Sequence, residues 1–325
     1  AGSGKTSVAL HRIAWLLYHY RDANMTSQNI LIFSPNTVFN DYISNVLPEL
    51  GEENMQQTTF DEYLEKQVEK GLYFERSSQH MEYVLTAEKY ENQQARLQGI
   101  KYKSSMDFYY LLNDYINYLE NNTINIEDIV FRGRIIVSAQ EIRQMFYEDY
   151  ASMPLANRLE KIKQRINYLI RPVMTKRRLE LEERLSNNPN YKARARAYSR
   201  LFVYREFKEV RQQVEEMLRF DTFQALLKLF DDEELFVQLA GENLPENHAA
   251  ICSDTASRIR QRLPGYEDIS AYIYLKGILE GVPRMSHIRH VVVDEAQDLE
   301  AVGPGEVAEG VLTGHQLAVL GREWI

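Results

Sequence analysis

Two short segments, one near each end of the chain, contain side chains suited to phosphate chemistry. Residues 1–6 read Ala-Gly-Ser-Gly-Lys-Thr, and residues 291–298 read Val-Val-Val-Asp-Glu-Ala-Gln-Asp. The first has the composition of a phosphate-binding loop, in which glycines let backbone N–H groups surround phosphate oxygens, a lysine reaches the outer phosphates and a hydroxyl binds magnesium. The residues predicted to contact the phosphates are Gly2, Ser3, Gly4, Lys5, Thr6 and Ser7.

The second segment supplies the acidic groups that the first one lacks. Its β-branched residues predict a buried strand ending at Asp294 and Glu295, and open α/β sheets bind their ligands at the carboxyl ends of strands. Phosphoryl transfer needs a phosphate cradle, a cation and a group that orients the attacking water. We therefore predict that Lys5 and Glu295 are catalytic and that Thr6 and Asp294 hold Mg²⁺.

Each segment alone has a plainer explanation, because a glycine-rich turn or a strand with a polar end is common. Their joint occurrence favours a nucleotide site, since each supplies what the other lacks. Gln297 and Asp298 lie just past the predicted strand, where they are expected to sense the γ-phosphate or the opposing domain. For Asp298 a turn or capping role is an equal alternative to sensing.

The position of the loop in the chain is unusual. The full loop signature starts with a glycine five residues before the glycine that precedes the lysine, and this position falls ahead of residue 1. We therefore expect the chain to begin inside its own motif, with the strand that feeds the loop lying upstream.

Composition narrows the class of protein. The 325 residues suffice for two or more domains, and no stretch approaches the roughly 18 apolar residues of a membrane-spanning helix. We expect no membrane partner and a cytoplasmic location. The single cysteine, Cys252, excludes a disulfide framework and is expected to be a buried thiol.

Charge is distributed unevenly along the chain. Residues 158–219 contain 17 Lys or Arg and 8 Asp or Glu, which gives this segment a net charge of +9. Because the whole chain has a net charge of −9, the remaining residues together carry −18. Within this segment arginines alternate with Tyr191, Tyr198, Phe202 and Tyr204. That composition is typical of single-strand binding grooves and of protein interfaces, but a solvated helix face with internally packed aromatics remains an alternative.

The order of strand and helix signals predicts an α/β fold interrupted by helices. Strand signals at 29–33, 57–60 and 288–293 alternate with helix signals near the two ends of the chain. We predict an ATP-binding core formed by residues 1–65 and 264–325. A mostly helical insertion, or arm, occupies residues 66–263.

The insertion shows one strand signal, at 129–137, followed by Ser138 and Glu141 in the spacing of a capping box. Charged helical runs on both sides of a turn at 186–190 predict a basic helical hairpin over 157–229, with an interruption at Pro172. A helix is expected after Pro264-Gly265.

Several of these motifs resemble one helicase family. Residues 294–298, Asp-Glu-Ala-Gln-Asp, resemble motif II of superfamily 1 helicases of the UvrD and Rep type. Segment 30–51 resembles motif Ia of the HelD branch, whose members are helicase-like factors acting on bacterial RNA polymerase. Residues 58–63, Thr-Thr-Phe-Asp-Glu-Tyr, fit the next motif of that branch. The resemblance is close over residues 1–65 and 285–298.

The resemblance implies a RecA-like core, a parallel sheet with helices on both faces, that binds ATP and Mg²⁺. It implies hydrolysis coupled to movement on single-stranded or duplex DNA. Residues after the second strand touch single strands in this family, which makes Ser34, Asn36, Thr59 and Phe60 candidate contacts. The HelD branch implies an alternative, in which the arm binds RNA polymerase and displaces nucleic acids while nucleotide acts as a conformational switch.

The chain departs from the family pattern at its end. Family members continue to a Gly-Asp-x-x-Gln motif, whereas residues 320–325 read Leu-Gly-Arg-Glu-Trp-Ile. A second core domain, which would supply arginine fingers, is also not present in the sequence. We therefore expect this chain by itself not to turn over ATP.

Overall fold

The computed structural model describes residues 5–20, 25–34, 55–68, 71–87, 93–281 and 288–293. The chain divides into two compact units. The sheet unit comprises Ala1–Asp114, Leu226–Ile278 and Val282–Ile325, and the hairpin unit comprises Tyr115–Ala225 and Leu279–Gly281. The predicted limits of the insertion, 66–263, stay a prediction about domain organisation.

Strands are few and short in the described part of the chain. They are β1 Ile30–Ser34, β2 Gln56–Thr59, β3 Ile129–Phe131, β4 Arg134–Val137 and β5 His290–Val293.

Helices make up most of the rest. They are α1 Lys5–His19, α2 Phe60–Gln67, α3 Ser77–Ala87, α4 Gln94–Lys103, α5 Met106–Asn122, α6 Ala139–Gln144, α7 Leu155–Ser186, α8 Ala195–Glu206, α9 Lys208–Met217, α10 Thr222–Asp231, α11 Glu233–Ala240, α12 His248–Arg260 and α13 Tyr266–Leu279. Short 3₁₀ turns lie at Ser27–Asn29, Lys192–Arg194 and Gly241–Asn243, and a π turn at Met145–Asp149.

The sheet unit contains a parallel three-stranded sheet in the order β2-β1-β5. The central strand, β1, is buried along its whole length. On one face Ile30 and Ile32 pack with Ile13 and Leu17 of α1. On the other face the ring of Phe33 contacts α2, as described below. The α/β part of the predicted fold is therefore present, and each strand lies where the sequence predicted one.

Burial on both faces explains why β1 is almost entirely apolar. Successive strand residues point to opposite faces, so a strand covered on both sides needs apolar residues at every position. In α1, Ile13 and Leu17 are buried against the sheet, whereas Val8 is exposed.

Aromatic side chains form the helical core of the sheet unit. Tyr102, Phe108, Phe230 and Phe236 join α4, α5, α10 and α11 through four ring contacts with centroids 5.7 to 6.2 Å apart. This spacing is typical of packed aromatic pairs. Cys252 of α12 is also buried, as predicted, and burial raises the pKa of its thiol to about 12.

In the hairpin unit, the prediction of a single strand at 129–137 is wrong. Residues 129–137 form two antiparallel strands, β3 and β4, in which Phe131 pairs with Arg134. Arg132 and Gly133, which join them, both have positive φ, 52° and 74°. Two consecutive residues with positive φ make the tight turn that suits a two-residue hairpin. The sequence signal that was missed is Gly133, because glycine readily adopts the positive φ that such a turn needs.

Helices α7 and α8 pack against each other across the turn predicted at 186–190, so this part of the basic hairpin is confirmed. The bidentate ion pair of Arg177 with Glu206, at 2.8 and 3.0 Å, joins the two helices. Pro172 does not interrupt α7. Pro172 has no N–H group to donate to the carbonyl of Tyr168, one turn earlier in the helix. Both residues are exposed. The second predicted run breaks at Phe207, where α8 gives way to α9.

Two helices begin with the reciprocal hydrogen bonds of a capping box. The hydroxyl of Ser138 accepts from the N–H of Glu141, 3.2 Å away, and the Glu141 carboxylate accepts from the N–H of Ser138 at 2.8 Å. Thr59 and Glu62 do the same at the start of α2. The predicted capping box at Ser138 is confirmed. No helix in the described ranges is both long and apolar enough to cross a membrane.

Candidate functional site

The carboxyl ends of the three parallel strands meet at one edge of the sheet. Ser34, the last residue of β1, pairs with Thr59, the last residue of β2, and Phe33 pairs with Val293 at the end of β5. Asp294 and Glu295 follow Val293 directly in the sequence. In parallel α/β sheets this edge is the one at which ligands bind.

The predicted loop residues are placed only in part. Lys5 is the first residue of α1, and Thr6 and Ser7 continue its first turn, so the motif leads directly into a helix as a phosphate cradle requires. The remaining predicted nucleotide, metal and catalytic residues lie outside the described ranges, as does one candidate nucleic-acid contact. These are Gly2, Ser3, Gly4, Asn36, Asp294, Glu295 and Gln297.

Three candidate nucleic-acid contacts lie at this edge with side chains that already have structural partners. Ser34 is buried. The hydroxyl of Thr59 caps α2 by accepting from the N–H of Glu62 at 3.2 Å. The ring of Phe60 lies 6.4 Å from that of Phe33 and 6.2 Å from that of Tyr266. The structure thus brings the three together, and their contact with nucleic acid stays a prediction.

An aromatic path leads from this edge into the helices of the sheet unit. Phe33 also contacts Tyr63, with centroids 5.5 Å apart, and Tyr266 contacts the imidazole of His80 at 5.3 Å. Burial raises the pKa of Tyr63 to about 12, so its hydroxyl stays neutral. The path ends at a buried group of charged side chains.

We call this group of charged side chains the ionic cluster; it connects helices α3, α4, α12 and α13. Its most buried pair is Lys103 and Asp268, whose Nζ and Oδ1 atoms are 2.5 Å apart and whose side chains are 1% and 0% exposed. Lys103 also donates to the hydroxyl of Thr255 at 2.6 Å. Asp268 accepts from the N–H of Gly265 at 2.9 Å and thereby helps to begin α13. The members are Glu75, His80, Arg96, Lys103, Asp254, Arg258, Glu267 and Asp268.

Glu267 has three cationic neighbours in the cluster. Its Oε1 atom lies 3.2 Å from Nε of Arg96 and 3.1 Å from Nη2 of Arg258. Arg96 also pairs with Glu75. Burial opposes the charged form of Glu267, but its cationic neighbours outweigh burial and hold the pKa of this carboxyl far below its usual range. A Cβ atom on Gly265 would lie 2.6 Å from this carboxylate, so a larger residue there would push Glu267 away from its arginine partners.

His80 completes the balance of charge. Its Nδ1 atom lies 3.4 Å from Glu267 and 3.5 Å from Glu75, distances of ion pairs without well-aligned hydrogen bonds. Burial is the largest influence and opposes the charged ring, but the two carboxylates together raise the pKa of His80 to about 9. With His80 protonated, four cations face four carboxylates.

This balance bears on a metal site. Ligand atoms of Glu75, His80 and Glu267 lie within 4.8 Å of one another. However, Arg96 already binds both carboxylates, and a protonated imidazole has no lone pair to offer a metal. The cluster is therefore a set of ion pairs that neutralise one another and connect the helices, and each buried charge in it has a partner.

Sequence reasoning missed the ionic cluster because its members are far apart in the chain. Arg96 and Glu267 are separated by 171 residues. One local signal was available: two adjacent acids, Glu267 and Asp268, follow Pro264-Gly265 at the start of a helix whose remaining residues are mostly apolar. Such acids are unusual inside a buried segment and indicate buried cationic partners.

Comparison with known proteins adds no family. No protein-family model matches this chain, and no curated protein matches it. The resemblance to superfamily 1 helicases thus rests on the motifs alone.

Proposed function

We propose that this chain forms the ATP-binding first motor domain, of RecA-like fold, of a superfamily 1 helicase or translocase. The observation that supports this proposal is the shared edge of the parallel sheet. The strand that precedes Asp294 and Glu295 pairs with β1, and β1 packs against the helix that begins at Lys5. Cradle, metal ligand and catalytic carboxylate then belong to one α/β layer.

The roles follow from the chemistry of each side chain. Backbone N–H groups of Gly2 to Lys5 bind phosphate oxygens, and Lys5 neutralises charge that develops on the transferred phosphoryl group. Thr6 and Asp294 hold Mg²⁺, which when bound neutralises charge on the phosphate oxygens. Glu295 orients and polarises the attacking water. Gln297 senses the outer phosphate.

Nucleotide binding is tested with Lys5→Ala in the full-length protein. The change removes a charge-assisted contact with phosphate, so we expect the affinity for Mg-ATP to fall about tenfold or more in titration calorimetry. The matched control is Lys66→Ala, which removes an exposed positive charge from the end of α2 in the same unit and should leave the affinity unchanged. Equal affinities of wild type and Lys5→Ala would contradict the proposal.

The same experiment separates binding from chemistry through Glu295→Gln. The amide keeps the size of the side chain but cannot act as a base, so binding of Mg-ATP should persist. Turnover of ATP in the full-length protein should fall about a hundredfold or more. Unchanged turnover in the Glu295→Gln protein would assign the catalytic base to another residue.

A further inference from the structure

Helix α8 carries a stripe of exposed side chains beside its buried one. Ala195, Ser199 and Val203 are buried and face the rest of the hairpin unit. The residue that follows each of them lies about 100° further round the helix, and these residues are Arg196, Arg200 and Tyr204. All three are exposed, and one helical turn of about 6 Å separates each from the next. We call them the α8 stripe.

The arginines of this stripe retain their positive charge for a partner. Within the described residues the guanidinium group of neither Arg196 nor Arg200 forms an ion pair or a hydrogen bond. Other cations of the hairpin unit are paired instead: Lys163 pairs with Glu215 and Arg177 with Glu206. Arg196 and Arg200 are thus exposed, unpaired positive charges of the basic segment 158–219.

The tyrosine of the stripe offers one face of its ring. Tyr204 is 61% exposed, and the guanidinium of Arg211 stacks 3.9 Å from the ring centroid. The other aromatics of the alternation pack on one another. Tyr198 and Phe202 are half-buried and stack with centroids 6.1 Å apart, and Tyr191 meets Tyr198 edge-on at 5.3 Å. The alternation therefore divides into three rings in mutual contact and one exposed ring, Tyr204, on the same stripe as two arginines.

We propose that the α8 stripe binds single-stranded nucleic acid. Phosphates of the strand contact Arg196 and Arg200, and a base stacks on the exposed face of Tyr204. A single strand is favoured over a duplex because duplex bases are stacked on one another and cannot cover a protein ring. The inference rests on the proposed function for the kind of ligand and adds a binding surface in the hairpin unit, whose test needs no nucleotide and no residue of the sheet unit.

The charge component is tested with Arg196→Ala/Arg200→Ala in the nucleotide-free full-length protein. Affinity for a fluorescently labelled single-stranded oligonucleotide is measured by anisotropy over a range of salt concentrations. Each lost phosphate contact should flatten the salt slope by about 0.7, so the double change should flatten it by about 1.4 and lower affinity on the order of tenfold at moderate salt. Alanine is a strong helix former, so α8 should persist.

The stacking component is tested separately with Tyr204→Ala and Tyr204→Phe. Loss of the ring should lower affinity about fivefold or more without changing the salt slope, because no charge is removed. Phenylalanine keeps the ring and should retain the affinity. A merely structural role of Tyr204 would instead alter the slope and the affinity together, or neither.

A matched control and three outcomes decide the proposal. Lys66→Ala/Lys101→Ala removes two exposed cations from the sheet unit and should keep both slope and affinity. Wild-type binding by both stripe variants would show a solvated helix face and overturn the proposal. Tighter binding of duplex than of single strand would overturn it as well. So would loss of binding to RNA polymerase with unchanged affinity for oligonucleotides. Mg-ATP affinity, measured in parallel, distinguishes these failures from failure of the proposed function.

Discussion

Lys103 carries a charge that the fold encloses almost completely. Its side chain is 1% exposed, its ammonium group binds Asp268 and Thr255, and it lies 4.9 Å from the ring of Phe230. A buried ion pair gains little over a well-packed apolar pair, because both charges must leave water. Loss of one partner is far more damaging, since the other charge stays buried without compensation.

We therefore expect Lys103→Met to destabilise the protein by about 3 to 5 kcal/mol. Methionine fills a similar volume, so most of the loss reflects the buried carboxylate of Asp268, which keeps Arg258 as its one cationic partner. The free energy of unfolding in urea measures it. Lys101→Met, two residues away and exposed on the same helix, is the control and should change stability by less than about 0.5 kcal/mol. Similar effects of both changes would contradict the role given to burial.

At the scale of elements, the N-terminal cap of α2 fixes the junction between strand β2 and this helix. In α2 the strand β2 ends at Thr59 and the helix begins at Phe60, without a loop between them. The capping box of Thr59 and Glu62 satisfies N–H groups that the first turn of the helix leaves without partners. The cap thus holds Phe60 and Tyr63 against Phe33, next to the predicted nucleotide site.

The cap predicts a specific pattern of substitutions at Thr59. Thr59→Ala should lower the free energy of unfolding by about 1 kcal/mol because the capping hydroxyl is lost. Thr59→Ser keeps the hydroxyl and should stay within about 0.5 kcal/mol of wild type. Chemical denaturation of the three proteins compares them. Equal stability of the alanine and serine proteins would mean that the hydroxyl does not stabilise α2.

At the scale of the whole molecule, the two units differ in how their charged side chains are arranged. Four carboxylates and four cations neutralise one another inside the sheet unit, whereas the hairpin unit displays arginines at its surface. The total of −9 therefore conceals both features. A net charge describes solubility and general attraction between molecules, while partners depend on local surfaces.

The ionic cluster makes global stability depend on pH. The pKa of His80 is raised from 6.5 to about 9 in the folded protein, so this contribution is fully present below pH 6.5 and is lost as the pH rises toward 9. Full loss corresponds to about 3 kcal/mol. Between pH 7 and 8, the free energy of unfolding should fall by about 1 kcal/mol in wild type and by much less in His80→Gln.

This comparison uses urea unfolding at a series of pH values below 8. The range avoids ionisation of Cys252 in the unfolded chain, which would otherwise add a second decline. Parallel pH profiles for wild type and His80→Gln would show that His80 is not held in its charged form.

Local features of this fold could be predicted well from the residues. The strands at 30–34 and 290–293, the cap at Ser138 and the helix after Pro264-Gly265 each depend on a few consecutive side chains. Such signals act through backbone preferences and short hydrogen bonds, which the sequence contains directly. The turn at Arg132 and Gly133 was equally local, but its short strands gave too weak a pattern.

The sequence by itself determined the chemical inventory: a glycine-lysine-threonine loop, an Asp-Glu pair after a strand, and a basic segment within an acidic chain. Only the tertiary structure decided that β1 lies between β2 and β5, that Arg96 meets Glu267, and that Tyr204 is exposed while Phe202 is packed. The physical reason is distance along the chain. Pairing and burial between remote segments depend on how the whole chain packs, whereas the type of each residue and its nearest neighbours are set before any folding occurs.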